Sequence, residues 1–305
     1  MSKAKLRMAS DGHRARVAPT WTEEKLRILA CYLSGFAKAC KRARGWYSLD
    51  LFAGCGLNIS GTTGTEIPGS PLIALCARAP LATNVLCCEQ GAEVLRALRA
   101  RTSSYRDRAE IFEGDANQLV TQMLDRVPRL APAFAFLDPE GSELEWETVR
   151  AISAYKRPNR VEQLILLPTD TGFVRLLSLR QPLDPAYAAR VTAMFGDDSW
   201  SATYERRRAA QISADQAREE YLALYAANLR RLGYQYVQER QITKEPASPG
   251  GRGAPMYFLL HATDIAAGNR IMGHCFDKKH LRPEEELGQL SLVTTPVAPR
   301  RRREV

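Results

Sequence analysis

Residues 47–56 read Y-S-L-D-L-F-A-G-C-G, an apolar run that passes directly into a loop with glycines two apart. Leu49, Leu51 and Phe52 supply a buried parallel strand, and Asp50 sits near its carboxyl end. After Ala53, Gly54 and Gly56 let the backbone pass close beneath a ligand, where a Cβ would collide. That pattern is the entry to a nucleotide-type cofactor site. Many α/β proteins turn this way, so the next hundred residues decide the matter. They repeat strand, acidic terminus and helix in a fixed order.

A chain of 305 residues is long enough to bury a full core. No apolar run reaches the roughly 18 residues that span a bilayer, and the basic N-terminus lacks the apolar centre of a signal peptide. These features predict a cytoplasmic protein with no membrane association. Its seven cysteines form no C-x-x-C pair and no Cys/His ligand spacing, so they predict reduced, buried thiols and no metal site. The net charge of +9 sits mostly at the ends. Residues 1–19 carry five Lys and Arg against Asp11, and residues 288–305 carry four Arg against Glu304, which leaves +2 for the body. Both ends predict solvated basic tails around a single domain at 20–287. A nearly neutral body weakens the case for a nucleic-acid surface without removing it.

Thr22 and the apolar period after it predict a capped helix over 22–43. Strands at 46–53, 84–88, 110–113, 133–137 and 161–167 then alternate with helices at 70–79, 91–101, 117–127 and 144–156. This alternation implies right-handed crossovers and a parallel sheet with helices on both faces. Residues 172–233 are helical throughout and read as an insertion that would roof the acceptor side of the cleft, with Trp200, Tyr204 and Arg206 either contacting the acceptor or simply packing. Two strands at 234–242 and 255–263 follow with no helix between them, so they must pair antiparallel. A closing helix ends the domain.

Ligands of an open parallel sheet sit outside the carboxyl ends of its strands. Glu89 closes V-L-C-C-E, where a carboxylate can accept both ribose hydroxyls of an adenosine, unless it is a plain surface acid. In I-F-E-G-D-A-N, Asp115 with Ala116 beside it can accept from an adenine amine, and Asn117 is an alternative helix cap. In F-A-F-L-D-P-E-G, Pro139 fixes Asp138 on a stiff turn, and Glu140 is a second acid there; the bland alternative is a turn and nothing more.

Five parallel strands followed by an antiparallel pair is the layout of the class I S-adenosylmethionine (SAM) methyltransferase fold, a Rossmann-like sheet. The stretch D-L-F-A-G-C-G is similar to the SAM loop of methyltransferases, especially those acting on nucleic-acid bases. More closely, the chain resembles the three-Cys-motif partner (TcmP) family, a bacterial set of methyltransferase-like proteins. The matching pieces are T-E-E-K-L-R-I-L-A-C-Y-L, D-L-F-A-G-C-G, G-S-P-L-I-A-L (69–75), the Glu89 strand end, G-D-A-N (114–117), L-D-P-E-G, M-F-G-D-D-S-W (194–200) and the late M-Y-F-L-L-H-A-T. They cover most of residues 22–275. The resemblance implies a SAM-binding fold with Asp50, Phe52, Ala53, Gly54, Gly56, Glu89, Asp115, Ala116 and Asp138 around the cofactor. Asp138 is then the first candidate for general base or acceptor-orienting group, and Glu140 the second. It also allows a three-Cys-motif protein as partner.

Two departures matter. Glu89 follows Asp50 by 39 residues, against roughly 20 for a first strand-helix-strand unit. The excess, L-N-I-S-G-T-T-G-T-E-I-P-G at 57–69, reads as a mobile lid or a decorative loop, with Ser70 as cap and Pro71 as first-turn proline of the next helix. Second, D-P-E-G lacks the second proline and the aromatic of base N-methyltransferases, and no cysteine nucleophile stands there for cytosine C5 chemistry. The acceptor therefore stays open among a small molecule, a nucleotide-like compound and a nucleic-acid base. Two rival functions also remain: a non-catalytic SAM-fold protein that binds another protein, and, least favoured, a dinucleotide oxidoreductase.

Overall fold

The computed structural model describes residues 6–43, 45–77, 80–169, 177, 179, 183–244 and 253–277. In chain order the elements are β1 (Leu6–Met8), β2 (Arg14–Ala18), α1 (Thr20–Ala39), β3 (Tyr47–Asp50), β4 (Leu57–Ser60), β5 (Glu66–Pro68), α2 (Ser70–Leu75), β6 (Asn84–Glu89), α3 (Ala92–Thr102), β7 (Ala109–Glu113), α4 (Ala116–Leu124), β8 (Ala133–Leu137), α5 (Trp146–Ala154) and β9 (Glu162–Leu167). Helices Pro185–Phe195, Trp200–Arg208 and Ala214–Arg231 follow, then β10 (Tyr236–Thr243), β11 (Pro255–Thr263) and a closing helix, Ala266–Phe276.

The main sheet runs β10-β11-β9-β8-β3-β6-β7. β3 pairs in parallel with both β6 and β8, β6 with β7, and β8 with β9, while β11 runs antiparallel to β9 and to β10. Within this mixed, Rossmann-like sheet only β11 is reversed. The five parallel strands and the antiparallel pair are those the sequence predicts. From β3 the chain first steps outward to β6 and β7, then returns to β8 and β9 on the other side. That reversal puts the topological switch point, where such sheets bind ligands, at the carboxyl end of β3.

Strand period sorts the core into two layers. Leu49, Leu86, Ala135, Leu137, Ile165 and Leu167 face α4, α5 and the helices of 185–231. Val85, Cys87, Phe134, Phe136, Leu164 and Leu166 face α1, α2, α3 and the closing helix. Near-continuous apolar strands are what a sheet covered on both faces requires.

Four expectations fail here. Residues 6–18 are no solvated tail: β1 and β2 form a hairpin in a second sheet, ordered β1-β2-β4-β5, and Ala15 and Ala18 are buried. The Arg101 guanidinium of α3 holds the hairpin down, donating to Asp11 at 2.7 Å and to the carbonyls of Arg14 and Cys55. The excess segment 57–69 is therefore β4 and β5 of that sheet. Helix boundaries shift too: α1 starts at Thr20 after Pro19, and Gly69 rather than Ser70 is the N-cap of α2. Fourth, the cysteines are not all reduced. α1 and the closing helix pack together, bring the Cα atoms of Cys31 and Cys275 to 5.9 Å, and the pair forms a disulfide. Residues 288–305 and 170–176 lie outside the described residues. Among the described residues no helix is long and apolar enough to cross a membrane, and no His/Cys/Asp/Glu cluster could hold a metal ion.

Candidate functional site

Two cavities open along the carboxyl ends of the parallel strands, and Phe52 lines both. The first, about 400 Å³, lies over β6 and β7 and is lined by Glu89, Asp115, Ala116 and Asn117. The second, about 640 Å³, lies over β3 and β8 and is lined by Ala53, Gly54, Gly56, Asp138 and Glu140. Both fall within the range of about 300–1,000 Å³ typical of ligand sites. Of the residues the sequence assigns to the cofactor and to the chemistry at the end of β8, only Asp50 lines neither.

Gly54 takes φ +62°, and a Cβ there would meet no protein atom within 4 Å. The space beside it belongs to the second cavity. Gly56, at φ +78°, accepts at its carbonyl from Gly69 N–H at 2.8 Å, so the loop crosses close under the start of α2. Glu89 fixes the same loop from the other side. One carboxylate oxygen accepts from Gly54 N–H at 3.0 Å, and the other from Gln90 and Gly91 N–H at 2.9 and 3.0 Å. A carboxylate has about four acceptor positions, so capacity remains for a hydroxyl.

Asp115, not Asn117, caps α4: its Oδ1 accepts from Asn117 N–H at 2.8 Å. Its other oxygen has no hydrogen-bond partner among the described residues. Asn117 instead braces the segment after β8, donating to Glu143 O at 2.8 Å and accepting from Glu145 N–H and the Thr148 hydroxyl.

Asp50 lies beneath the loop. It is 2% exposed, and neither carboxylate oxygen completes a hydrogen bond. Burial pushes its pKa up to about 7, with the charges of Asp138 and Glu89 adding to the rise; the Ser70 hydroxyl and Phe52 N–H face it and offset part of it.

Asp138 is already paired. The Lys25 ammonium of α1 donates to both its oxygens, at 2.7 and 2.5 Å, and both side chains are largely buried. The same ammonium lies 5.6 Å from the ring centroid of Tyr257, whose hydroxyl donates to Trp21 O at 2.7 Å. Glu140 pairs with Arg16 of β2. Lys244 stands over the Trp21 ring, 5.3 Å from its centroid.

The helices of 185–231 do not wall the Asp138 cavity. Trp200 and Tyr204 are buried in the core, Trp200 donating to Thr192, and Arg206 pairs with Glu220. Arg190 and Ala193 reach the Glu89 cavity instead. The Asp138 side is walled by α1, the first hairpin and β11, through Lys25, Trp21, Arg16, Tyr257 and Met256. Sequence reasoning passed over Lys25, although one signal marked it. It continues, one turn earlier, the buried stripe of Ile28, Leu29, Tyr32, Leu33 and Phe36.

No protein-family model and no curated protein matches the chain. Among solved structures it is similar to an O-methyltransferase from Bacillus cereus in complex with SAH (14% identity, 84% of each chain covered, TM-score 0.39). It is also similar to TYW2 from M. jannaschii in complex with AdoMet (9% identity, 86% of each chain, TM-score 0.39). A third is the precorrin-6y C5,15-methyltransferase from Geobacter metallireducens (12% identity, 78% of this chain and 87% of that one, TM-score 0.38). All three TM-scores lie below 0.5.

Proposed function

We propose that this protein is a SAM-dependent methyltransferase of the class I type, close to the three-Cys-motif partner family its motifs resemble. The observation that carries the reading is the pair of cavities at the switch point. Gly54 leaves open space beside a fixed loop, Glu89 and a free oxygen of Asp115 face one cavity, and Asp138 faces the other. These residues fit an adenosine with an amino-acid arm: Asp115 toward the adenine amine, Glu89 toward the ribose hydroxyls, Gly54 and Gly56 under the arm. SAM, when bound, supplies a methyl group on a sulfonium sulfur. The chain's task is then to hold donor and acceptor in line and, for an acceptor that must lose a proton, to take it.

A thermal-shift comparison tests this against the rival functions. SAM and S-adenosylhomocysteine (SAH) raise the melting temperature in proportion to log concentration above Kd, and NAD does not. An NAD response without a SAM response contradicts the proposal, and transfer of label from methyl-tritiated SAM separates an enzyme from a binding protein of the same fold.

Glu89→Ala removes the ribose acceptor and releases three backbone N–H groups. Calorimetric SAH binding should weaken by about 1–3 kcal/mol, the usual loss for a charged hydrogen bond. Unchanged affinity contradicts the ribose assignment. Gly54→Ala puts a methyl into the open space at a left-handed φ; it should cost roughly 1–2 kcal/mol of folding stability and weaken SAH binding by about tenfold or more. If only stability falls, the loop does not lie against the ligand.

A further inference from the structure

The Lys25–Asp138 pair is a poor device for stability. Two charges withdrawn from water in this way contribute little or nothing net against an apolar pair of the same size. Its place is more telling: both side chains line the 640 Å³ cavity at the end of β8. An ammonium has three protons to donate. Two of Lys25's go to Asp138, and the third has no hydrogen-bond acceptor among the described residues. The remaining walls combine the aromatic and apolar side chains of Trp21, Phe52, Tyr257 and Met256 with the polar ones of Thr22, Asn58 and Ser70. The other charges facing the cavity are Arg16, held by Glu140, and Lys244, held over Trp21. Tyr257 cannot serve as the base, because its hydroxyl is committed to Trp21 O and burial pushes its pKa further up.

A cation and a carboxylate side by side complement a hydroxyl that is losing its proton. The carboxylate receives the proton, and the ammonium stabilises the oxyanion left behind. An amine acceptor, which gains positive charge and has no oxyanion to present, would leave the remaining Lys25 N–H without an acceptor. Resting on the methyltransferase reading, we propose that the acceptor is a ring hydroxyl, a phenol or enol, and that Lys25 is a catalytic residue that binds its oxygen. The O–H proton passes to Asp138, the O–CH3 bond forms as the S–CH3 bond breaks, and the sulfonium leaves as the neutral sulfide of SAH. Lys25 keeps its proton throughout.

The probe is 4-nitrophenol, whose phenolate absorbs at longer wavelength than the phenol. Titrated with pH in the presence of saturating SAH-loaded protein, bound 4-nitrophenol should ionise about 1–3 pH units below the free compound, the range for an opposite charge in contact. Lys25→Met should abolish that lowering. The double variant Lys25→Met/Asp138→Asn, which leaves no orphan charge, should abolish it too while SAH affinity is unchanged. No binding of 4-nitrophenol to the loaded wild type, an unshifted bound form, or a shift that survives in the double variant overturns the proposal. If SAH itself fails to bind, the methyltransferase reading falls first and this one with it.

Discussion

Asp50→Asn should stabilise the ligand-free protein by about 4 kcal/mol at pH 8 and by almost nothing at pH 4. The carboxyl of Asp50 lies without a completed hydrogen bond under the glycine loop, and burial raises its pKa to about 7 from 3.8. Between those two values the unfolded chain has released the proton and the folded chain still holds it. Stability therefore falls as pH rises through this window, and the loss is complete above pH 7. An amide has no charge to desolvate, so the variant escapes the loss. Urea unfolding at pH 4, 6 and 8 checks this; parallel curves for the two proteins would contradict it. A cation seated above the loop would draw the pKa back down, so SAM binding near pH 6.5 should release a proton in wild type and none in Asp50→Asn.

Asp138→Asn should lower kcat by roughly 100-fold or more on the acceptor the enzyme methylates, the scale for losing a positioned base. Asn keeps the shape and one acceptor oxygen for the Lys25 ammonium but cannot take a proton. SAH affinity should be unchanged, because Glu89, Asp115 and the glycine loop do not depend on it. Near-normal kcat in a folded variant would reduce Asp138 to a strand-end turn that anchors α1.

The sheet was legible because its signals are local. Apolar runs ending in Asp, Glu or Gly mark β3, β6, β7 and β8, and the same ends carry Gly54, Glu89, Asp115 and Asp138. What the sequence concealed depends on distant pairing. Leu57–Ser60 and Glu66–Pro68 read as a Gly/Thr-rich loop because their sheet needs Arg14–Ala18, some forty residues earlier, as a partner. The basic residues of that segment read as solvated until Arg16 meets Glu140 and Arg14 meets Glu93. β11 is apolar along nearly its whole length, so no alternation announces that Tyr257 turns to the cavity. For Trp200 and Tyr204 the sequence leaves acceptor contact and packing both open, because an aromatic pair on an Arg-rich helix carries no mark of which face is covered.

One adenosyl ligand should span the two cavities around Phe52, and a crystal structure of the complex with SAH would show where it lies. Adenine should lie within hydrogen-bond reach of the free oxygen of Asp115, the ribose hydroxyls on Glu89, the amino-acid arm over Gly54 and Gly56, and the sulfur facing the space beside Asp138 and Lys25. SAH bound instead at the amino ends of β8 and β9, in the cavity of about 290 Å³ lined by Lys156 and Glu162, would contradict this placement.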